Sequence, residues 1–287
     1  IFGGVFFVFK QQFLLIFLQI LRVLVESKKV GVVILAGGDA TRLGLDIPKG
    51  CLELHGISLF ERILSRCPGI VAVMVSEKNL EAVSTFFHAI EMGPSRLHIF
   101  VQKSAPILQG EGSSPMGNGD LFRAMKEEGI LDLFQDQGVE KIVVCPVDNP
   151  LVQPTLEVLQ SPMELVVLGV EKRHAFEAVG TLIEEDKLSV IEYTKSTSVE
   201  GLAYTGIFSA DIDFFRRAAK HDSLVPVHHV LKIQNGKSVI KQEKFVFDFF
   251  PLAKSYYVAK VDRTENFYPI KRQAGDDSLE EALRILR

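Results

Sequence analysis

The chain has 287 residues, 47% hydrophobic and 24% charged, with a formal net charge of −4. This length suits one large α/β domain or two small ones, and the mildly acidic balance excludes the electrostatic footprint of a nucleic-acid binder. Its three cysteines, Cys51, Cys67 and Cys145, stand singly, away from ligand spacing. That excludes a zinc site and a disulfide scaffold, and it agrees with a reducing, cytoplasmic setting.

Residues 1–28 are rich in Phe, Leu, Ile and Val. Lys10, Gln11 and Gln12 split this segment, and Gln19 and Arg22 interrupt its second half. No uninterrupted apolar run reaches the roughly 18 residues of a spanning helix, and no small-residue cleavage site follows. A packed N-terminal helix is the expectation, with a membrane contact or a targeting segment as the alternatives.

Val30–Leu35 is the first β-type run. It empties into Leu35-Ala36-Gly37-Gly38-Asp39-Ala40-Thr41-Arg42-Leu43-Gly44, followed by Pro48-Lys49-Gly50. A glycine-rich loop frees backbone N–H groups and lets a polyanion approach closely. Arg42 and Lys49 add a forked cation and a point cation. The loop is neither a P-loop nor a dinucleotide fingerprint, since no Gly-Lys-Ser/Thr ends it and it does not follow Gly-x-Gly-x-x-Gly. It still has the form of a site for a nucleoside triphosphate.

Beyond the loop, Ile70–Val75 reads as a strand, Leu80–Ile90 as a helix and His98–Val101 as a short strand. Leu121–Phe134 carries apolar residues at helical spacing, and Lys141–Cys145 and Leu165–Val170 are further strands. Strands alternating with helices imply βαβ units, a mostly parallel sheet and helices on both faces. Ligands of such sheets lie outside the carboxyl ends of the strands. After Glu177 the pattern changes. Ala178–Ile183 and Leu188–Tyr193 flank Glu184-Glu185-Asp186-Lys187 as a hairpin, and Tyr204–Ser209, Ser238–Ile240 and Tyr256–Val261 are strand candidates. This half is expected to extend the same sheet and to carry the pocket of a second substrate.

Several residues carry two readings. Gly117-Asn118-Gly119 opens the helix at Leu121. It either lets backbone approach a planar base or is a helix-start turn capped by Asp120. Asp148 ends a strand, where a lone carboxylate holds a metal against phosphate oxygens or merely caps the next turn. Glu192 and Tyr193 end a strand as a sugar-facing pair or as a solvent-facing acid with its neighbour. Phe245 and Phe247 alternate onto one strand face, as core or as pocket wall. Lys241 and Lys271 taken alone are surface lysines. His228 and His229 are adjacent rather than four apart, a poor metal pair.

The loop at 35–50 resembles the signature of the UDP-sugar pyrophosphorylases, and among them the eukaryotic-type UDP-N-acetylglucosamine pyrophosphorylases. The resemblance runs from about Lys29 to Ala274. It recurs in Pro115-Met116-Gly117-Asn118-Gly119, Val147-Asp148-Asn149, Val179-Gly180, Val190-Ile191-Glu192-Tyr193, Glu243-Lys244-Phe245-Val246-Phe247-Asp248 and Pro269-Ile270-Lys271. It implies a glycosyltransferase-A-like (nucleotide-diphospho-sugar transferase) α/β three-layer sandwich with a mostly parallel mixed sheet. The catalytic domain would span residues 29–275, between the N-terminal segment 1–28 and a tail at 276–287.

The activity implied is uridylyl transfer from UTP to N-acetylglucosamine 1-phosphate with Mg2+. Glucose 1-phosphate or a broader sugar range is the alternative within enzymes, and a weakly active UDP-sugar binder the alternative outside them. By resemblance, Arg42, Lys49 and Lys271 are catalytic, and Leu35, Ala36, Gly37, Gly38, Gln102 and Gly117 bind the nucleotide. Asn118, Gly180, Glu192, Tyr193, Phe245, Phe247 and Lys241 face the sugar phosphate, and Asp148 holds the metal. The partners implied are UTP and a sugar 1-phosphate, with no nucleic acid and no membrane contact. The chain departs from the family pattern at Asp39, at Ala40, where a glycine is usual, and at Gly206, where an asparagine is usual.

Overall fold

The apolar run that precedes the glycine loop lies at the centre of the molecule. Val30–Leu35 forms β1, with Gly31 to Ile34 buried in succession. An unbroken buried run is what a strand covered on both faces requires, since neither face can be polar. The computed structural model describes residues 30–38, 40, 43–93, 95–192, 199–234 and 236–286. Asp39, Arg42, Tyr193 and the segment 1–28 therefore lie outside the described residues.

In chain order, β1 is followed by β2 (Glu53–Leu54), β3 (Ile57–Ser58), α1 (Leu59–Leu64), β4 (Val71–Val75), α2 (Leu80–Ala89) and β5 (Leu97–Val101). Next come β6 (Ser104–Pro106), β7 (Ser113–Pro115), α3 (Leu121–Glu127), α4 (Ile130–Asp136), β8 (Lys141–Pro146) and β9 (Leu165–Val170). The second half holds β10 (Thr181–Glu184), β11 (Leu188–Ile191), β12 (Ala203–Asp211) and α5 (Ile212–Lys220). It continues through β13 (His228–Gln234), β14 (Lys237–Glu243), β15 (Tyr256–Lys260), α6 (Arg263–Asn266) and α7 (Leu279–Ile285).

One nine-stranded mixed sheet organises these elements. On one side β1 pairs in parallel with β4, which pairs in parallel with β5, and on the other side β1 pairs in parallel with β8. β12 then joins β8 antiparallel and carries β9 on its far edge, with β15 parallel to β9. The hairpin β10–β11 forms as expected and attaches to β12 at Ala203. Two hydrophobic clusters cover the two faces of the sheet. In one of them Phe122 sits among Phe214, Phe215 and Phe249, with ring centroids 5.8, 5.2 and 4.5 Å away. Burial of one such ring stabilises by about 1.5–3 kcal/mol. α1 begins with a capping box in which Ser58 and Glu61 satisfy each other's backbone N–H groups.

Three expectations about local structure are corrected. The helix expected over Leu121–Phe134 is two helices, because Gly129 sits in the left-handed region (φ 73°) and restarts the chain as α4. β13 and β14 do not extend the main sheet but form a separate two-stranded ribbon. Phe247 lies in a 3-10 turn over Val246–Leu252, not on a strand, with Phe245 extended just before it. Within 276–287, Ser278 caps α7 by accepting from Glu281 N–H, and Ala282 is buried in the core.

Candidate functional site

The C-terminal ends of β1, β4, β5 and β8 open onto a cavity of about 390 Å3. Leu35, Gly37, Gly38, Lys49, Gln102, Gly117, Asn118, Asp148, Lys241 and Phe245 all line it, so the structure brings together ten of the residues named from sequence. A second cavity of about 650 Å3 shares Lys49 and Asp148 with the first and adds Arg173, Glu177, Lys271 and Asp277. Lys49 and Asp148 are thus the common wall of the two.

The glycine loop is held by its own backbone. Lys49 N–H donates to Gly38 O (3.2 Å), and Ala40 N–H donates to Ile47 O (3.0 Å). Ala40 is fully buried in the core, and its carbonyl accepts from Leu43 and Leu45 N–H. Its methyl group therefore packs inward. Ala36 is also buried, behind the cavity rather than on its wall.

Gly37 leaves room for the end of the Gln102 side chain. A Cβ there would stand 1.8 Å from Gln102 Nε2. Gln102 follows β5, donates its backbone N–H to Val75 O (2.9 Å) and is 5% exposed. Among the described residues its Oε1 has no hydrogen-bond partner, and neither has the Oγ of Ser114, which is buried on the same wall. A buried acceptor without a partner carries the desolvation cost of the missing bond, on the order of 1–3 kcal/mol.

Gly117 and Gly119 admit backbone rather than leaving open space. A Cβ on Gly117 would stand 2.8 Å from Lys244 O, and one on Gly119 would stand 2.6 Å from Lys244 C. Gly119 N–H donates to Lys244 O (2.9 Å), and Asn118 Oδ1 accepts from Val246 N–H (3.1 Å). This turn therefore docks the segment that puts Phe245 on the cavity wall. Phe247 stacks on Phe245 (5.1 Å, 14°) from the core side. Asp120 does not cap α3. Its carboxylate accepts from Lys103 N–H (2.5 Å) and from Arg123.

At the shared wall, Lys49 Nζ donates to Asp148 Oδ2 and to Ile270 O, both at 3.2 Å. Asn149 is wholly buried. It donates to Asn266 O (2.7 Å) and accepts from Tyr268 N–H (3.0 Å), a supporting role that fixes the loop after β8.

The second cavity is built from ion pairs. Arg173 joins Glu177 (3.0 Å) to Asp277 (2.6 Å), Arg263 also holds Glu177, and Lys271 meets Asp277 at 3.3 Å. Burial alone would raise the Glu177 carboxyl, but the Arg173 N–H and the guanidinium groups of Arg263 and Arg173 outweigh it and hold it below the usual range. Sequence reasoning missed this network. Arg173 and Glu177 are spaced four apart, but Asp277 lies 104 residues from Arg173 and gives no local signal.

The sugar-facing set is divided. Asn118, Lys241 and Phe245 line the first cavity, whereas Gly180, Glu192 and Phe247 line neither. Gly180 packs against Val190 across the β10–β11 hairpin, where a Cβ would stand 2.8 Å from Val190 Cγ1. Glu192 is half-buried at the end of that hairpin. Among the described residues, no group of three or more His, Cys, Asp or Glu is placed to hold a metal ion, and no helix is long and apolar enough to cross a membrane.

Comparison with known proteins gives a consistent result. Residues 96–278 match the model of the family described as UTP–glucose-1-phosphate uridylyltransferase. A protein of Encephalitozoon cuniculi named "Probable UDP-N-acetylglucosamine pyrophosphorylase" is 28% identical, over 86% of this chain and 82% of its own. UDP-N-acetylglucosamine diphosphorylase 2 of Arabidopsis thaliana is also 28% identical, over 90% of this chain but 64% of its own length. The crystal structure of the uridine diphosphate N-acetylglucosamine pyrophosphorylase of Trypanosoma brucei, in complex with inhibitor, superposes with a TM-score of 0.78. It is 23% identical and covers 93% of this chain and 68% of that one. The likeness shows that the two chains share a fold, the mixed α/β sheet with covering helices that the sequence predicts.

Proposed function

The chain belongs to the UTP–glucose-1-phosphate uridylyltransferase family, and from that premise we propose that it transfers a uridylyl group from UTP to N-acetylglucosamine 1-phosphate. The products are UDP-N-acetylglucosamine and pyrophosphate. The observation that carries this reading is the meeting of two cavities at Lys49 and Asp148, with the buried Gln102 carboxamide on the wall of the first. A carboxamide presents a donor and an acceptor side by side, the complement of a uracil N3–H flanked by a carbonyl. The unpaired Gln102 Oε1 supports that assignment.

In the reaction, an oxygen of the sugar phosphate attacks the α-phosphorus in line and pyrophosphate leaves. The protein's work is positioning and charge neutralisation rather than covalent chemistry. Lys49 stabilises charge on the leaving pyrophosphate, together with Arg42. Lys271, in the adjoining cavity, holds the sugar phosphate, and Lys241 reaches the phosphates from β14. Asn118 and Phe245 bound the sugar side of the first cavity.

Mg2+ fits the donor set. A small hard cation takes one or two carboxylates and completes its shell with substrate phosphates and water, and Asp148 offers one carboxylate where the cavities meet. When bound, the ion would neutralise phosphate charge. The proposed setting is the cytoplasm.

A pyrophosphate-release assay with UTP, Mg2+ and a panel of sugar 1-phosphates tests the reading. N-acetylglucosamine 1-phosphate should give the highest kcat/KM. Absence of release with every sugar would overturn it.

A further inference from the structure

Alternate residues of β14 face the first cavity, and they bring three different chemistries to its wall. Lys241 and Glu243 lie on the strand and Phe245 just past it, and all three line the cavity. Along a strand, such residues are about 7 Å apart on one face. Lys241 and Phe245 have roles in the proposed reaction, and Glu243 between them has none.

Among the described residues, the carboxylates lining this cavity are Asp148 and Glu243. Asp148 is engaged by Lys49 at the shared wall. Glu243 stands on the ribbon, steadied by Lys232 of β13 at 3.5 Å, with 19% of its side chain accessible. Its Cβ lies 3.6 Å from where a Cβ on Gly117 would stand, which puts it beside the Gly117–Asn118 turn. A carboxylate in a polyphosphate site opposes its ligand by charge unless it meets groups that donate to it. Ionised, it is an acceptor only, with two oxygens. The donors that a nucleotide and N-acetylglucosamine 1-phosphate carry near their phosphates are sugar hydroxyls and the hexosamine amide N–H, and only the hydroxyls come in vicinal pairs that match the two oxygens of a carboxylate. Dinucleotide-binding folds use an acidic residue on ribose hydroxyls in the same way.

We infer that Glu243 accepts hydrogen bonds from the vicinal hydroxyls of a substrate sugar and so selects against deoxy forms of that substrate. This rests on the uridylyltransferase reading, and the hydroxyls belong either to the ribose or to the hexosamine.

The test compares wild type with Glu243→Gln and Glu243→Ala. Each is assayed on UTP against 2′-deoxy- and 3′-deoxy-UTP, and on N-acetylglucosamine 1-phosphate against its 3-deoxy and 4-deoxy analogues. Loss of a hydrogen bond to a charged group should lower kcat/KM on the full substrates by about tenfold or more. On an analogue that lacks one contacted hydroxyl, the gap between wild type and Glu243→Ala should narrow. A narrowed gap on the deoxy-UTPs assigns the ribose, and a narrowed gap on the deoxy sugars assigns the hexosamine. A loss by the same factor on every substrate, or no loss at all, overturns the inference. Calorimetry with UDP and 2′- and 3′-deoxy-UDP repeats the ribose arm without turnover. If wild type binds UDP yet releases no pyrophosphate, the reaction is wrong while a ribose contact of Glu243 is still decided. If wild type binds no UDP, both fall.

Discussion

The two cavities share a wall but are built on opposite principles. The first is shaped by close approach at Gly37 and Gly117, and beside the charged Lys49, Asp148, Lys241 and Glu243 it presents a buried carboxamide oxygen that has no partner among the described residues. The second is shaped by charged side chains that already satisfy one another, through Arg173, Arg263 and Lys271 on Glu177 and Asp277. A ligand entering the first completes what the fold left unpaired. A phosphate entering the second must compete with carboxylates for their cations. Selectivity for the base is therefore preorganised in the first cavity, whereas affinity in the second is a difference between two sets of ion pairs.

The sharpest way to break this comparison is at the shared wall. Lys49→Ala removes the cation common to both cavities and should lower turnover by about a hundredfold, the scale for a lost charge-stabilising donor. Steady-state kinetics with unchanged turnover would take Lys49 out of the mechanism. The ion-pair network is tested by stability. Glu177→Gln should cost about 2 kcal/mol in chemical denaturation, as expected for hydrogen bonds to a charged group. The sign with pH follows from the lowered carboxyl. Its contribution is complete above the unfolded value of about 4.3 and is lost as the pH falls through the lower folded value. Acid titration of melting temperature should therefore be flatter in the variant.

Smaller effects sharpen the contrast. Gly37→Ala would displace the end of a flexible side chain, Gln102, so it should raise the KM for UTP by about tenfold while leaving the melting temperature nearly unchanged. A large loss of stability instead would make Gly37 a folding residue only. Lys271→Ala should raise the KM for the sugar phosphate by roughly fivefold and leave that for UTP alone. A shift in the UTP value instead would take Lys271 away from the sugar phosphate.

What was legible in the sequence follows from the same contrast. β1 and β9 were read with their observed ends because buried parallel or central strands are continuous apolar runs. Gln102 and Asp148 were legible as cavity-lining residues because each follows a strand end, and Lys49 because it closes the glycine loop that leaves β1. The break at Gly129 was hidden by apolar residues that keep helical spacing on both sides of it. The network of the second cavity was not legible, since its partners lie 86 and 104 residues apart and no local pattern links them. Glu243 was passed over for another reason. An acid on a short strand is ordinary until it is known which face of that strand is turned inward.

That face depends on a single variable. In the β13–β14 ribbon, Glu243 pairs with His228 and Lys241 with Val230, while Ile240 and Gln242 alternate to the other side. Slipping β14 by one position would exchange cation, acid and ring together for their neighbours, because a strand cannot turn one side chain over without turning all of them. The wall of the first cavity is therefore inherited as a unit. Substitutions can edit it one residue at a time, but an insertion or deletion ahead of Lys241 would erase it whole.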